Sequence, residues 1–150
     1  MSTITQLRER GLRVTRPRIA VLEALVSGGH LDVEQVRARA IADAGSVSVQ
    51  TVYDVLATLC EAHLVRRLEP AGSPALFELQ VGDNHHHLVC RSCGRIEDVD
   101  CAVGSAPCLT PSDQAHLHGF DIDEAEVTWW GTCPACKQSV SSTSSKEHHE

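Results

Sequence analysis

The sequence predicts an α+β chain in two parts: helices closed by a β-hairpin up to about residue 80, then a short strand-rich part built around cysteines. Three observations predict it. Apolar residues recur at helical spacing behind cap residues through residues 1–62. Two strand-like runs flank the turn Pro70-Ala-Gly-Ser-Pro74. Two C-x2-C pairs stand 39 residues apart in the remainder.

The elements follow in order. A first short helix covers about residues 3–10. Thr15 caps a second, with Pro17 just inside its start and Ile19, Leu22 and Val26 in helical register until Gly28-Gly29 stops it. Asp32 caps a third; Gln35 stands three residues on, and Val33, Val36, Ala40 and Ala44 share a face before Gly45. Ser48 caps a fourth, which carries Val52, Val55, Leu56 and Leu59 and runs to about Ala62. Leu64–Glu69 and Ala75–Gln80 then make a hairpin. Helix–turn–helix followed by a hairpin is the winged-helix order, so residues 1–80 form the first domain. Residues 81–84, Val-Gly-Asp-Asn, are the natural hinge. Beyond it, His85–Arg91 and Arg95–Asp100 read as strands around Cys93-Gly94, and residues 101–112 as a loop. Pro111–His118 suits a short helix ended by Gly119, and Phe120–Trp130 a strand. Residues 85–138 thus form a small α/β domain. The Ser-rich, charged stretch 139–150 has the composition of a disordered tail.

Composition bounds the class. At 150 residues the chain suits one ordinary domain or two very small ones, and 42% hydrophobic content supports a core. No apolar run approaches the ~20 residues of a membrane span. Residues 1–10 are polar and lack the apolar segment of a secretory signal, so a cytoplasmic protein is expected. A reducing cytosol directs the seven cysteines toward metal ligation rather than disulfides. Five aromatics leave the core to Leu, Val, Ile and Ala, which is thin for two half-sized domains without a staple. The net charge of -7 hides an asymmetry: residues 1–80 carry nine Arg and nine acids, and residues 81–150 carry the whole excess. Arg8, Arg10, Arg13, Arg16 and Arg18, against Glu9, make a local basic stripe able to hold phosphates.

Cys90-Arg-Ser-Cys93 and Cys133-Pro-Ala-Cys136 are two knuckles, each turning a pair of thiolates toward one point. Together they complete a tetrahedral S4 site for zinc. Such a set leaves no open position, so the metal is structural, and it supplies folding energy that residues 85–140 lack. A redox motif or buried cysteines would be the rival readings, and the pairing of two knuckles disfavours both. Cys60 reads as a core residue of the fourth helix; Cys101 and Cys108 fit no knuckle spacing.

Strand alternation puts His85 and His87 on one face and His86 on the other. Two imidazoles so placed are half of a divalent-metal site, although a solvated strand end would be the better explanation of an isolated triplet. Asp98 on the adjoining strand, Glu78 before the hinge and His30 in the break after the second helix could complete the set. If these five meet, they form an N3O2 site, harder than S4 and suited to iron or manganese, with ligands from both sides of the hinge. A histidine–carboxylate cluster could instead hold a hydrolytic metal. No nucleophile elbow, phosphate loop or catalytic zinc-helix motif accompanies it, so neither an enzyme nor a small-molecule substrate is expected. A redox or storage protein using Cys101 and Cys108 is the third reading.

Gly11-Leu-Arg-Val-Thr-Arg-Pro-Arg18, Val47-Ser-Val-Gln-Thr-Val-Tyr53, His85-His-His-Leu-Val-Cys-Arg-Ser-Cys-Gly94 and Cys133-Pro-Ala-Cys136 together resemble the ferric uptake regulator family of metal-responsive repressors, over about residues 5–138. The resemblance implies a homodimer in which residues 85–138 are the dimerisation domain. It implies structural Zn2+ on Cys90, Cys93, Cys133 and Cys136, and regulatory Fe2+ or Mn2+ on His30, Glu78, His85, His87 and Asp98. A further metal site of the family is poorly matched, since Asn84 and Ala125 fall where histidines often occur; His86, His116 and His118 are the residues that could substitute.

The DNA-facing helix runs from Ser48 to about Ala62 in this reading, with Gln50, Thr51 and Tyr53 facing bases of an A·T-rich inverted-repeat operator in double-stranded DNA. A buried Tyr53 and a merely capping Thr51 are the alternative. Asp54 departs from the common family pattern and repels phosphates, which throws phosphate anchoring onto Arg13, Arg16 and Arg18. The Tyr53-Asp54 pair resembles the actinobacterial regulators of catalase-peroxidase genes, as do Asp98-Val-Asp-Cys-Ala-Val-Gly104 and Ala106-Pro-Cys-Leu109. Peroxide-sensing members tend to carry Asp, and iron sensors Glu, at the position of Asp98. The resemblance therefore implies an iron-loaded repressor released by hydrogen peroxide, with an iron-level sensor as the alternative.

Overall fold

Each early helix begins where a short side chain can satisfy the orphan amides of its first turn. In the computed structural model, Ser2 accepts from the Thr5 N–H to start α1 (Thr3–Glu9), and Thr15 from Arg18 to start α2 (Arg16–Val26). Asp32 and Gln35 cap one another's backbones at α3 (Val33–Ala44), the reciprocal box the sequence shows. Ser48 accepts from Thr51 at the head of α4 (Val49–Glu61). The structure describes residues 1–80, 85–101, 118–122 and 125–141, and contacts divide the chain into the units Met1–Gly82 and Asp83–Glu150.

The first unit is a winged helix. Val21, Leu22 and Leu25 of α2, Val36 and Ala40 of α3, and Val52, Leu56 and Leu59 of α4 are buried together with Leu7 and Phe77. Each large side chain so buried contributes about 1.5–3 kcal/mol. Cys60 packs half-buried against this cluster, and burial pushes its thiol up in pKa. The wing pairs β1 (Val65–Leu68) antiparallel to β2 (Leu76–Leu79), with Arg66 opposite Glu78. Gly28 and Gly29, both at positive φ (85° and 96°), turn the chain out of α2. Leu31 then bridges Phe77 through reciprocal backbone hydrogen bonds of 3.0 and 2.8 Å.

In the second unit, the described residues form a three-stranded sheet in the order β4-β3-β5. Here β3 (His85–Cys90) lies antiparallel to β4 (Ile96–Asp100) and parallel to β5 (Thr128–Gly131). Gly94, at φ +77°, closes the knuckle between β3 and β4 by donating to the Cys90 carbonyl at 2.9 Å.

Two expectations need correction. The strand expected over Phe120–Trp130 is confined, among the described residues, to Thr128–Gly131. Pairing with β3 begins at His87 and Thr128, and the segment before it is rich in Asp and Glu, which strands disfavour. The tail expected to be disordered from Ser139 is helical as far as Ser141, in α5 (Pro134–Ser141). Pro134 supplies a helical φ at the first position, and the Lys137 N–H bonds the Cys133 carbonyl at 3.0 Å. The hinge 81–84, the helix expected over Pro111–His118 as far as residue 117, the loop from residue 102, Cys108, His116 and residues 142–150 lie outside the described residues. None of the described helices is long and apolar enough to cross a membrane.

Candidate functional site

Cys90 ends β3, Cys93 sits in the knuckle turn, Cys133 precedes α5 and Cys136 lies in its first turn. Parallel pairing of Cys90 with Gly131 brings the second knuckle beside the first. The four sulfurs lie within 4.8 Å of one another, and Cys93 Sγ is 3.7 Å from Cys133 Sγ. Four Zn–S arms of about 2.3 Å in a tetrahedron place sulfurs about 3.8 Å apart, whereas a disulfide requires about 2.05 Å. The arrangement fits zinc.

Electrostatics agree with that fit. The Cys133 N–H donates to Cys90 Sγ at 3.3 Å and, with the Cys93 N–H, draws the Cys90 thiol down to about 6. The Cys136 N–H lowers Cys133 in the same way. Cys136, hydrogen-bonded to the Cys133 and Cys93 sulfurs, is pushed up to about 12. Crowded sulfurs thus divide into thiolate and thiol until a cation compensates the charge, which is what a divalent metal does.

The other candidates form two groups, one in each unit. In the first, the Leu31–Phe77 bridge is antiparallel, so the preceding residue meets the following one. His30 Nε2 lies 2.9 Å from Glu78 Oε2, and the carboxylate is buried. Sequence reasoning missed Arg66, whose guanidinium is 3.9 Å from the other Glu78 oxygen; the hairpin register is the signal that finds it.

In the second, His87 pairs with Asp98 across the β3–β4 ladder, and Nε2 stands 3.6 Å from Oδ1. His85, two residues along on the same face, reaches that oxygen at 3.9 Å, and the two rings are 5.0 Å apart edge to face. His86 turns the other way onto Trp129, at 5.6 Å between ring centres. His87 is buried while Asp98 is 54% exposed at its side chain, so the cluster opens to solvent on the carboxylate side. Imidazole nitrogens and a carboxylate oxygen within 4 Å of one another are ligand types for iron, manganese or zinc.

On α4, Gln50 and Tyr53 are exposed, Tyr53 to 52%, which excludes the buried alternative for that ring. Ser48, not Thr51, is the cap: the Thr51 N–H donates to Ser48 Oγ at 3.1 Å, and the Thr51 hydroxyl lies 2.8 Å from the Ser48 hydroxyl. Gln50 Nε2 donates to Asp54 Oδ1 at 2.9 Å. Arg13 and Arg16 are exposed, and Arg18 donates to the Arg13 carbonyl at 2.8 Å, which ties the start of α2 to the segment before it. Cys101 is half-buried and His118 exposed.

Comparison with known proteins places these features in context. The model of the ferric uptake regulator family matches residues 9–128. The transcriptional regulator FurA of Mycobacterium tuberculosis is 58% identical over 139 residues, 93% of this chain and 91% of that protein. The ferric uptake regulator of Pseudomonas aeruginosa, solved with manganese, superposes with a TM-score of 0.66 at 28% identity, covering 89% of this chain and 99% of that one. A Campylobacter jejuni peroxide stress regulator gives the same TM-score at 26% identity, covering 91% and 100%.

Proposed function

This chain belongs to the ferric uptake regulator family of transcriptional regulators, and on that footing we propose that it is a homodimeric, metal-dependent repressor of oxidative-stress genes, loaded with iron and released by hydrogen peroxide. His30 and Glu78 of the first unit, with His85, His87 and Asp98 of the second, jointly take the regulatory metal. Shared ligation ties DNA-binding geometry to metal occupancy. A hundredfold preference of the metal for the DNA-competent arrangement shifts that equilibrium by about 2.7 kcal/mol.

The observation that carries the reading is the pairing of His85 and His87 with a solvent-facing aspartate rather than a longer carboxylate. The short arm of Asp98 leaves room at the metal, and its exposure gives a small solute access. Likeness to a regulator solved with manganese and to a peroxide stress regulator supports the same reading. Bound ferrous iron would supply the one-electron chemistry that splits peroxide, and the net change is one imidazole and one hydrogen peroxide giving an oxygenated imidazole and water. The chain supplies the target: the imidazoles of His30 and His85, which ligate poorly once oxygen has been added to the ring. Loss of an imidazole ligand would release the metal, leaving the two units without their shared tie and ending repression.

DNA contact rests on the first turns of α4, where Gln50, Thr51 and Tyr53 meet base edges while Arg13, Arg16 and Arg18 hold phosphates. An exposed Tyr53 supports this, because a ring on a helix surface can press on thymine methyls. The operator is an A·T-rich inverted repeat matching the twofold axis of the dimer.

The test uses zinc-loaded dimer with iron or manganese added anaerobically, duplex retardation, and mass spectrometry after micromolar peroxide. The reading predicts metal-dependent retardation, then loss of binding with one added oxygen on His30 or His85 in the iron form alone. Unmodified histidines with binding retained under peroxide identify an iron-level sensor. Metal uptake without any duplex binding removes the repressor reading altogether.

A further inference from the structure

We infer that Asp54 positions Gln50 and thereby fixes which base edge α4 reads. The inference rests on the reading of α4 as the DNA-facing helix. Gln50 and Asp54 stand one turn apart, both exposed, and Gln50 Nε2 donates to Asp54 Oδ1 at 2.9 Å. An ionised carboxylate only accepts, so it holds the amide nitrogen and rejects the amide oxygen. A glutamine amide left to itself has two orientations of nearly equal shape. Asp54 selects one of them, with Nε2 toward the carboxylate and Oε1 turned away.

That choice has a consequence in the major groove. Adenine presents an N6 amine, which can donate to Oε1, and an N7, which can accept the remaining hydrogen of Nε2. Guanine presents O6 and N7, two acceptors, and its O6 would meet Oε1 with repulsion. The locked amide therefore favours adenine over guanine at one operator position. It also gives a role to a carboxylate that otherwise only weakens phosphate binding on this helix. A pair that merely stabilises the helix would change folding stability and leave base preference alone.

The experiment uses full-length protein loaded with zinc and manganese, and a library of duplexes randomised across the bound segment. Bound sequences are read for the wild type, Gln50→Ala and Asp54→Asn. Asparagine keeps the shape of aspartate but both donates and accepts, so the glutamine amide can turn either way round. Gln50→Ala is expected to erase an adenine preference at one position of each half-site. Asp54→Asn is expected to act at that same position, reducing the adenine-to-guanine ratio from about tenfold or more to about threefold or less. Other positions keep their preferences, and overall affinity rises with the loss of a negative charge. The inference is overturned if Asp54→Asn raises affinity yet leaves every preference intact. A change at a position that Gln50→Ala does not touch overturns it too, because Asp54 would then read a base itself. If Gln50→Ala alters no position, Gln50 reads no base and the inference is overturned, whereas the DNA reading of α4 itself falls only if the wild type selects no duplex sequence.

Discussion

At Cys136 a proton and a metal compete for one sulfur. Its thiol, pushed up to about 12 by the neighbouring sulfurs, must lose its proton when zinc binds, while Cys90, near 6, is already thiolate at neutral pH. Zinc uptake at about pH 8 is therefore expected to release at least one proton per metal, and zinc affinity to fall as pH falls. An indicator-dye titration in weak buffer measures this; uptake with no proton release contradicts the assignment. His63 offers a second test, since it ends α4 at φ +56°, a left-handed conformation that strains any residue with a Cβ. His63→Gly should raise stability by up to about 1 kcal/mol in denaturant titration. Residue identities at the cysteine cluster were legible because C-x2-C spacing is local. The His30–Glu78 contact was legible only as a possibility, because it depends on a bridge between Leu31 and Phe77, forty-six positions apart.

Among the elements, those whose causes are local could be read directly. The second, third and fourth helices each carry a cap and a periodic apolar face within about a dozen residues, and the hairpin carries its own turn. The elements misread are those whose causes are distant or masked by composition. Strand β5 exists where β3 pairs with it, about forty positions away, and α5 starts at a proline directly after Cys133, although serine-rich sequence follows. Burial makes Leu56 in α4 essential to the first unit, so Leu56→Ala should cost about 2–5 kcal/mol there. Cys93→Ser should release zinc and lower the thermal stability of β3, β4 and β5, read as lost amide-exchange protection across those strands. Full protection without zinc would show that the sheet stands without its staple.

On the proposed reading, zinc holds one unit together, whereas the regulatory metal would hold the two units to each other. His85→Ala should weaken metal-dependent duplex binding while zinc content and circular dichroism stay unchanged, which separates the regulatory site from the structural one. The candidate ligands occupy separate units, His30 and Glu78 in one and His85, His87 and Asp98 in the other, and each group is already assembled in its own unit. The most direct measurement is manganese affinity in zinc-loaded protein carrying His30→Ala or Glu78→Gln on one side, and His87→Ala or Asp98→Asn on the other. Each of the four is expected to lose about tenfold or more in affinity with zinc retained, at least what losing a ligand's own hydrogen-bond partner costs. First-unit variants that bind manganese as tightly as the wild type would contradict shared ligation, because the metal would then belong to the second unit alone.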